Sequence, residues 1–520
     1  MKQLSLNRQE LSEIINNNCI YVDKTELIFN IINNGKAFFL SRPRRFGKSL
    51  LINTFKEIFS ANRELLKDTW IYDKIDWKKY PILKLDFSLM QVKDLGLTQA
   101  LDETLQKIAN GYQLILEKTS VSGKFAELIE KLSIKYDKVV ILVDEYDKPI
   151  SDYIDNLDKA EENRETLKTF YACLKSLDSC IQFLFITGVS KFSKVSIFSD
   201  LNHLTDLTMS RYAATLLGYT KDELIRYFDE YITIIEKENG LSRDELFEKM
   251  AKTYNGYSWD GINFVYNPFS IQSFFKERSF HHFWFATGTA TFLVKALKDT
   301  NKMPQDVSPR EVTLSFFDKF ELRNMDLISL LFQTGYLTIK SIDQENQIYM
   351  LAFPNGEVES AFLNNLLEIW SGKVQSEVGE IMINIMRSLQ QAKPELMIEA
   401  FKKLFAGIPY DHFIQKHAIE AIFASNIYTA LKIIGVREEV EVHTSTGRID
   451  AVMEGKDCIF IAEFKMGSAE DAMKQVVSKK YHEKYAGGVK RVFLIALGFD
   501  EAERNITGYL VDELREIKNL

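Results

Sequence analysis

The stretch Phe38-Phe39-Leu40-Ser41-Arg42-Pro43-Arg44-Arg45-Phe46-Gly47-Lys48-Ser49-Leu50 carries the strongest fold signal in the chain. An apolar run that is typical of a strand, Ala37 to Leu40, ends in a basic turn, and helical periodicity begins at Leu50. A strand, a turn and a helix in this order predict a phosphate-binding P-loop, in which backbone N–H groups and the positive end of the helix face an anion.

The side chains of this turn predict a nucleotide as the ligand. Lys48 would contact the β- and γ-phosphates, the Ser49 hydroxyl would bind Mg²⁺, and Arg45 and Gly47 are assigned to the same cofactor site. Arg42 stands where the general motif has its first glycine. A basic loop that caps a helix is the alternative interpretation.

A second apolar run, Val139 to Val143, ends in the carboxylates Asp144 and Glu145. It predicts a buried parallel strand, and ligands bind at the carboxyl ends of such strands. Asp144 would hold Mg²⁺ through water, and Glu145 would orient or deprotonate the attacking water. A buried strand followed by an acidic helix cap is the alternative, but both motifs occur in the order that a nucleotide-binding sheet requires.

The segment from Tyr80 to Ser88 also predicts a strand, and a further strand, Gln182 to Ile186, ends at hydroxyl groups. Thr187 or Ser190 would lie beside the γ-phosphate, or either hydroxyl closes a strand-to-loop turn. Arg211 is a weaker candidate for a phosphate contact, since a solvated arginine is the favoured interpretation.

Composition limits the class of protein. With 520 residues, 46% of them hydrophobic and 27% charged, the chain is expected to fold into about three or four domains. Its net charge of −8 excludes a wholly basic nucleic-acid coat but leaves room for local basic grooves. The four cysteines are scattered and lack the spacing of metal ligands, so neither a zinc site nor a disulfide framework is expected. This indicates a protein of a reducing compartment. The N-terminus has no signal-peptide core and no apolar run approaches about 18 residues, so we expect a cytoplasmic protein without a membrane span.

The middle of the chain is mostly helical. Thr220 and Glu223 have capping-box spacing, and helices at about 221–239 and 243–253 would form a lid beside the nucleotide. The aromatic stretch at 254–259 is expected to pack a domain junction rather than to stack on a base. A helix and a hairpin within 326–353 predict a winged helix. This segment has few basic residues, so an inter-domain or protein-contact role is favoured over DNA binding.

A second site is predicted near the C-terminus. Two strands joined by a short turn carry Asp450 near the start of one and Glu463 and Lys465 near the end of the other. Glu463 and Lys465 are two residues apart, so they lie on the same face of their strand. Asp450 and Glu463 would bind Mg²⁺, and Lys465 would position the water that attacks a phosphodiester. Glu441 and Glu420 are weaker candidates for a further carboxylate.

A helix from Ala469 to Tyr485 would lie next to this site. It carries Gln475 as a catalytic candidate and a basic set that suits a phosphate backbone: Lys474, Lys479, Lys480 and Lys484. A surface hairpin with an ion pair between Glu463 and Lys465 is the alternative interpretation.

The chain resembles bacterial AAA-ATPase-like proteins fused to a PD-(D/E)XK nuclease domain. The resemblance rests on these stretches: Tyr21-Val22-Asp23-Lys24-Thr25, Ser41 to Ser49, Leu85-Asp86-Phe87-Ser88, Val143-Asp144-Glu145-Tyr146-Asp147 and Tyr254-Asn255-Gly256-Tyr257. Arg42 is part of that family's pattern. Gln475 and Tyr481 resemble the Gln/Tyr helix of a nuclease subfamily found in recombination enzymes, although their spacing differs.

The expected fold class is α/β. We expect an AAA-like P-loop ATPase domain at 1–215, a helical lid at 216–300, a winged-helix-like region at 301–365, a helical connector at 366–405 and a restriction-endonuclease-like α/β domain at 406–520. The resemblance implies a protein that binds and hydrolyses ATP and uses Mg²⁺ to cleave nucleic acid, with DNA as the expected substrate, in defence or repair. The alternative is a nucleotide-dependent switch whose C-terminal domain binds nucleic acid or protein without cutting. ATP-driven assembly into homo-oligomers is a third possibility.

Overall fold

A computed structural model describes residues 1–190, 197–198, 201, 203–284, 307–317, 326–408, 419–434, 437–443, 448–478, 485 and 488–514, with the backbone alone at 419–422, 424–425, 437–443 and 448–450. The chain divides into two compact units. The first comprises Met1–Leu293 and Ser308–Val358, and the second comprises Val294–Val307 and Glu359–Leu520.

The first unit contains a five-stranded parallel sheet with the order β2-β3-β4-β1-β5. Its strands are β1 Ala37–Ser41, β2 Ile82–Asp86, β3 Val139–Asp144, β4 Ile181–Gly188 and β5 Thr205–Asp206. All residues of β1 and β3 are buried, as the continuous apolar runs predict for a covered parallel strand. The first four strands are confirmed, and β5 is an addition. Because β4 lies between β1 and β3, its end is placed between the two motif-bearing loops.

Eight helices of the described residues surround this sheet: α1 Leu11–Asn16, α2 Thr25–Asn33, α3 Lys48–Phe59, α4 Val92–Leu95, α5 Leu97–Gly111, α6 Val121–Tyr136, α7 Lys148–Ser151 and α8 Leu157–Tyr171. Apolar side chains of α5, α6 and α8 form one core with β1 to β4. The P-loop joins β1 to α3, which starts at Lys48. Because β1 lies within the sheet, the loop lies at the carboxyl end of the sheet.

The region expected to form a lid contains the helices α9 Lys221–Asn239, α10 Arg243–Tyr254 and α11 Pro268–Glu277. The predicted capping box is present at α9, where the Glu223 amide donates to Thr220 Oγ1 at 3.2 Å and the Thr220 amide donates to Glu223 Oε2 at 2.8 Å. Glu223 also accepts from Lys24 Nζ at 2.6 Å. The start of the lid is therefore tied to the segment that precedes α2.

The helix and hairpin that we predict within 326–353 are present. They are α12 Leu327–Thr334, β7 Thr338–Asp343 and β8 Ile348–Ala352, and β6 Arg310–Thr313 adds a third antiparallel strand next to β8.

The second unit contains a mixed sheet with the order β13-β12-β11-β10-β9. Its strands are β9 Arg437–His443, β10 Arg448–Glu454, β11 Cys458–Met466, β12 Arg491–Asp500 and β13 Asn505–Leu514. Strands β11 and β12 are parallel, and the other neighbours are antiparallel. The two strands predicted to carry Asp450 and Glu463 are confirmed as β10 and β11, and β9, β12 and β13 are additions.

The helices of this part of the chain are α13 Gly356–Ser371, which begins in the first unit, and α14 Gln375–Gln391, α15 Pro394–Phe405, α16 Ile419–Ile434 and α17 Ala469–Ser478. Phe460 and Phe464 of β11 pack in the main core, whereas Ile459 and Ile461 pack on the other face with Val476 of α17. This mixed α/β arrangement agrees with the expected restriction-endonuclease-like fold. None of the helices in the described ranges is both long and apolar enough to cross a bilayer.

Candidate active sites

The P-loop turns between β1 and α3 through two left-handed residues. Arg45 has a φ of 69° and Gly47 a φ of 91°, and only glycine adopts such a φ without a steric cost. No atom lies within 4 Å of the point that a Cβ on Gly47 would occupy, so the backbone is accessible there. Lys48 Nζ donates to the carbonyl oxygens of Arg42 and Pro43 at 3.0 Å each. The lysine therefore lies across the opening of the loop.

Arg42 is buried, and its side chain is directed to a wall beside the loop. The guanidinium donates to the carbonyls of Ser41 and Thr208 at 2.9 Å and of Ala213 at 3.0 Å, and it lies 3.8 Å from the centre of the Trp259 ring. Burial lowers the pKa of Arg42 to about 9. The three hydrogen bonds of the Arg42 side chain all go to backbone carbonyls. Arg42, which replaces the first glycine of the motif, therefore ties the loop to the segment around Thr208 and Ala213.

Aromatic side chains support the loop from the lid side. The Phe46 ring is 4.8 Å from Tyr257 and 5.5 Å from Trp259, both in edge-to-face geometry, and Arg45 stacks over Phe269 at 4.7 Å. The aromatic stretch at 254–259 packs against the P-loop, in agreement with the packing role that we predict for it.

Ser49 and Asp144 meet at the end of β3. The Ser49 side chain is close enough to the Asp144 carboxylate to influence its pKa, and Asp86 is the register partner of Asp144 on β2. Burial raises the pKa of Asp144, and the Ser49 hydroxyl opposes this shift. Burial also raises the pKa of Glu145, against the charge of Lys48. A hydroxyl and a carboxylate are the hard oxygen ligands that fit Mg²⁺ bound together with a nucleotide.

The other candidates of this site have partners elsewhere. Thr187 lies on β4, and its buried hydroxyl donates to the Leu40 carbonyl at 2.9 Å within the sheet. The Ser190 hydroxyl donates to Asp147 at 2.7 Å. Arg211 is exposed. Lys48, Ser49, Asp144 and Glu145 therefore converge, whereas the hydroxyls of Thr187 and Ser190 already make hydrogen bonds in the protein.

A cleft lies beside the P-loop. Among the residues that line it are Tyr21, Gly47, Thr54, Leu217 and Tyr219. Most of its wall is apolar, and it is formed by the segment before α2, the start of α3 and the start of the lid. These three segments include two of the stretches on which the family resemblance rests.

Strand pairing brings the acidic residues of the second site into one row. Asp450 lies opposite Glu463 on one side and opposite Glu441 on the other. Directly paired residues of a sheet lie on the same face, and Lys465 follows Glu463 by two positions on that face. Glu463 is 2% exposed and Lys465 is half-buried. Asp450, Glu463 and Lys465 are thus brought together by the backbone, as the alternation of the two strands predicts.

Helix α17 covers the same face of the sheet. Gln475 lies on it, and Gln475 Nε2 is buried without a hydrogen-bond partner among the residues that the structure describes. An amide in this state fits an oxygen ligand, because a buried donor without an acceptor is costly. Lys474 is exposed and pairs with Asp471 at 3.3 Å. The charge of Lys465 contributes to the lowered pKa of Asp471, after the larger effect of the hydrogen bond from Lys474.

Several predicted residues fall outside this geometry. Lys479, Lys480, Tyr481 and Lys484 lie outside the described residues, and the described part of α17 ends at Ser478. Glu420 is on α16, where the backbone alone is described.

No group of three or more His, Cys, Asp or Glu side chains in the described part of the chain is arranged to hold a metal ion. Asp450 is not among these side chains, because its backbone alone is described. Mg²⁺ bound with a nucleotide takes several of its ligands from water and phosphate, so it does not require such a cage.

Three residues with a structural part in these sites are absent from the sequence-based list. Asp86 stands beside Asp144, and its place at the end of a predicted strand is the signal that could have identified it. Asp147 bonds to the end of β4. Gly498 faces the start of α17, where a Cβ would lie 2.5 Å from the Gly467 carbonyl oxygen.

Together these features define a P-loop nucleotide-binding unit of AAA-like topology and a nuclease-like α/β unit in one chain. The family model described as Predicted AAA-ATPase matches residues 7–198, and that of the PD-(D/E)XK nuclease superfamily matches residues 418–508. The "Uncharacterized protein in vnfD 5'region" of Azotobacter chroococcum mcd 1 is 33% identical over 512 residues, which cover 95% of each chain. No solved structure matches the chain. The chain therefore belongs to the family that joins a predicted AAA-ATPase domain to a PD-(D/E)XK nuclease superfamily domain.

Proposed function

We propose that this protein binds and hydrolyses ATP at the P-loop and cleaves phosphodiester bonds of DNA at the C-terminal site, with nucleotide binding controlling cleavage. The observation that carries the nuclease proposal is the pairing of Asp450 with Glu463 on one face of a hairpin, with Lys465 on the same face. We place this activity in the cytoplasm, in defence against foreign DNA or in repair. The four free thiols support a reducing compartment.

At the nucleotide site, each residue has a separate task. Lys48 would exchange its loop carbonyls for phosphate oxygens, and Ser49 and Asp144 would hold Mg²⁺. Glu145 would orient the attacking water, and the base would lie in the cleft lined by Tyr21 and Tyr219. At both sites, bound Mg²⁺ supplies neutralisation of the charge that develops on the phosphoryl oxygens.

At the second site, Asp450 and Glu463 would hold Mg²⁺ and Lys465 would position the attacking water. Gln475 Nε2 would donate to an oxygen of the scissile phosphate or of a bound water, which would give this buried amide the acceptor that it otherwise lacks.

The test is cleavage of plasmid DNA by the purified full-length protein with Mg²⁺, with and without ATP. We expect Asp450→Asn and Lys465→Ala to reduce cleavage by about 100-fold or more, as the loss of a group that acts in the transition state does. Lys403→Ala changes an exposed lysine of the same unit and is the matched control. Uncut substrate across DNA and RNA panels would contradict the proposal.

A second candidate function is a nucleotide-dependent switch whose C-terminal domain binds nucleic acid or protein without cutting. One observation favours a protein as the bound partner: the described part of α17 carries one lysine, Lys474, and that lysine is paired with Asp471. Nucleotide-dependent binding of DNA or of a protein without cleavage would support the switch, and metal-dependent cleavage that Asp450→Asn abolishes would exclude it.

A further inference from the structure

The turn that follows β3 has an unusual backbone conformation. Glu145 has a φ of 52°, in the left-handed region that a residue with a side chain adopts only at a cost. The next residue binds the end of β4, since the Tyr146 amide donates to the Thr187 carbonyl at 3.1 Å and Tyr146 Oη donates to the Ser190 carbonyl at 2.8 Å. Neighbouring contacts thus hold Glu145 in this conformation.

Asp147 makes further contacts with the residues that follow β4, through its side chain. It is 2% exposed, and its carboxylate accepts from the Val189 amide at 3.2 Å, from the Ser190 amide at 2.8 Å and from Ser190 Oγ at 2.7 Å. Asp147 is also the N-cap residue of α7, yet its side chain makes no capping bond there. An aspartate at an N-cap usually bonds to its own helix, so the carboxylate is diverted to the neighbouring strand.

Gly188 allows this close approach. A Cβ at this position would lie 2.5 Å from Asp147 Oδ1 and 2.6 Å from the Tyr146 ring. The Gly188 carbonyl in turn accepts from the Arg42 amide at 3.2 Å, at the start of the P-loop. The end of β4 therefore connects the turn that carries Glu145 to the loop that would bind phosphate.

We infer that Asp147 is a positioning residue for ATP hydrolysis, which fixes the left-handed turn so that the Glu145 carboxylate faces the phosphate end of the P-loop. This rests on the hydrolysis proposed above. Glu145 is close enough to Lys48 for each charge to oppose the shift that burial imposes on the other's pKa. Asp147 acts through Glu145 and does not itself touch a phosphate.

Asp147→Asn tests the inference, because it keeps the shape of the side chain but turns an amide toward one of the backbone N–H donors. We expect kcat for ATP hydrolysis to fall by about tenfold or more, since small misplacements of catalytic groups cost this much. The dissociation constant of a non-hydrolysable fluorescent ATP analogue should change by less than about threefold. In the absence of nucleotide, hydrogen exchange at Val189 and Ser190 should accelerate.

The matched control is Asp152→Asn, which removes an exposed i,i+4 ion pair with Lys148 and should change none of these quantities. If Asp147→Asn fails to fold, Tyr146→Phe removes the bond to the Ser190 carbonyl alone and should lower kcat in the same selective way.

Two outcomes would overturn the inference and are distinguishable. Wild-type hydrolysis with an unchanged kcat in the folded Asp147→Asn and Tyr146→Phe variants would refute the positioning role alone. A wild-type protein that binds the analogue but does not turn over ATP would refute the proposed hydrolysis and the inference with it.

Discussion

Arg42→Gly is the substitution that would restore the general P-loop motif, and we expect it to damage the site rather than improve it. In the structure the Arg42 guanidinium holds three carbonyls, those of Ser41, Thr208 and Ala213, and stacks on Trp259. A glycine at this position leaves these carbonyls without the donor that Arg42 supplies, and the loop loses its contacts with Thr208, Ala213 and Trp259.

The size of the effect follows from these contacts. Three hydrogen bonds at roughly 1 kcal/mol each and a stacked cation at roughly 1 kcal/mol give a loss of about 4 kcal/mol in the free energy of unfolding. Arg42→Lys should lose about half as much, because an ammonium keeps the charge but cannot present a planar fork to several carbonyls.

The assay is urea unfolding followed by tryptophan fluorescence, with binding of a fluorescent ATP analogue measured in parallel. Arg44→Gly is the matched control, because it adds the same backbone freedom in the same loop at an exposed arginine and should cost less than about 1 kcal/mol. If Arg42→Gly unfolds within 1 kcal/mol of the wild type and binds the analogue at least as tightly, the anchoring role is wrong.

Other substitutions test other parts of the fold. Burial raises the pKa of Glu357 from 4.5 to about 7, so this carboxyl stays protonated in the folded chain while the unfolded chain ionises, and its contribution to stability is lost as the pH rises through that window. Glutamine cannot ionise, so the free energy of unfolding of Glu357→Gln, measured in urea relative to that of the wild type, should rise by about 3 kcal/mol from a pH near 5 to a pH near 8. A fall over the same range would contradict this. Gly498→Ala should destabilise the second unit by about 2 kcal/mol in thermal unfolding, whereas Gly379→Ala, in the open interior of α14, should stabilise it by about 0.5 kcal/mol. Phe46→Ala should cost about 3 kcal/mol in urea unfolding, and a loss below 1 kcal/mol would show that its aromatic contacts do not hold the loop.

Local patterns predict much of this molecule. The runs at Ala37, Val139 and Gln182 give the central strands, and the apolar run from Cys458 gives β11, because a buried strand leaves a strong local signal. The pairing of Asp450 with Glu463 also follows from the short turn between their strands.

The hydrogen-bond partners of the buried polar side chains could not be predicted from the sequence. Arg42 bonds to carbonyls more than 160 positions later in the chain, and Asp147 bonds to residues more than 40 positions later. Such contacts depend on how strands are ordered in the sheet, and spacing along the sequence carries no information about them. Strand β12 has an apolar run, Val492 to Leu497, that is typical of a buried strand, whereas β5 is two residues long and leaves no pattern.

The position of Lys48 determines how nucleotide affinity should be understood. Its ammonium group already has two acceptors in the protein, the carbonyl oxygens of Arg42 and Pro43. A phosphate would displace these oxygens instead of meeting a bare charge, so the measured affinity reports the difference between two sets of partners. Changes that weaken these two bonds without releasing the loop from its Arg42 contacts should therefore tighten nucleotide binding, even when they touch no atom of the nucleotide.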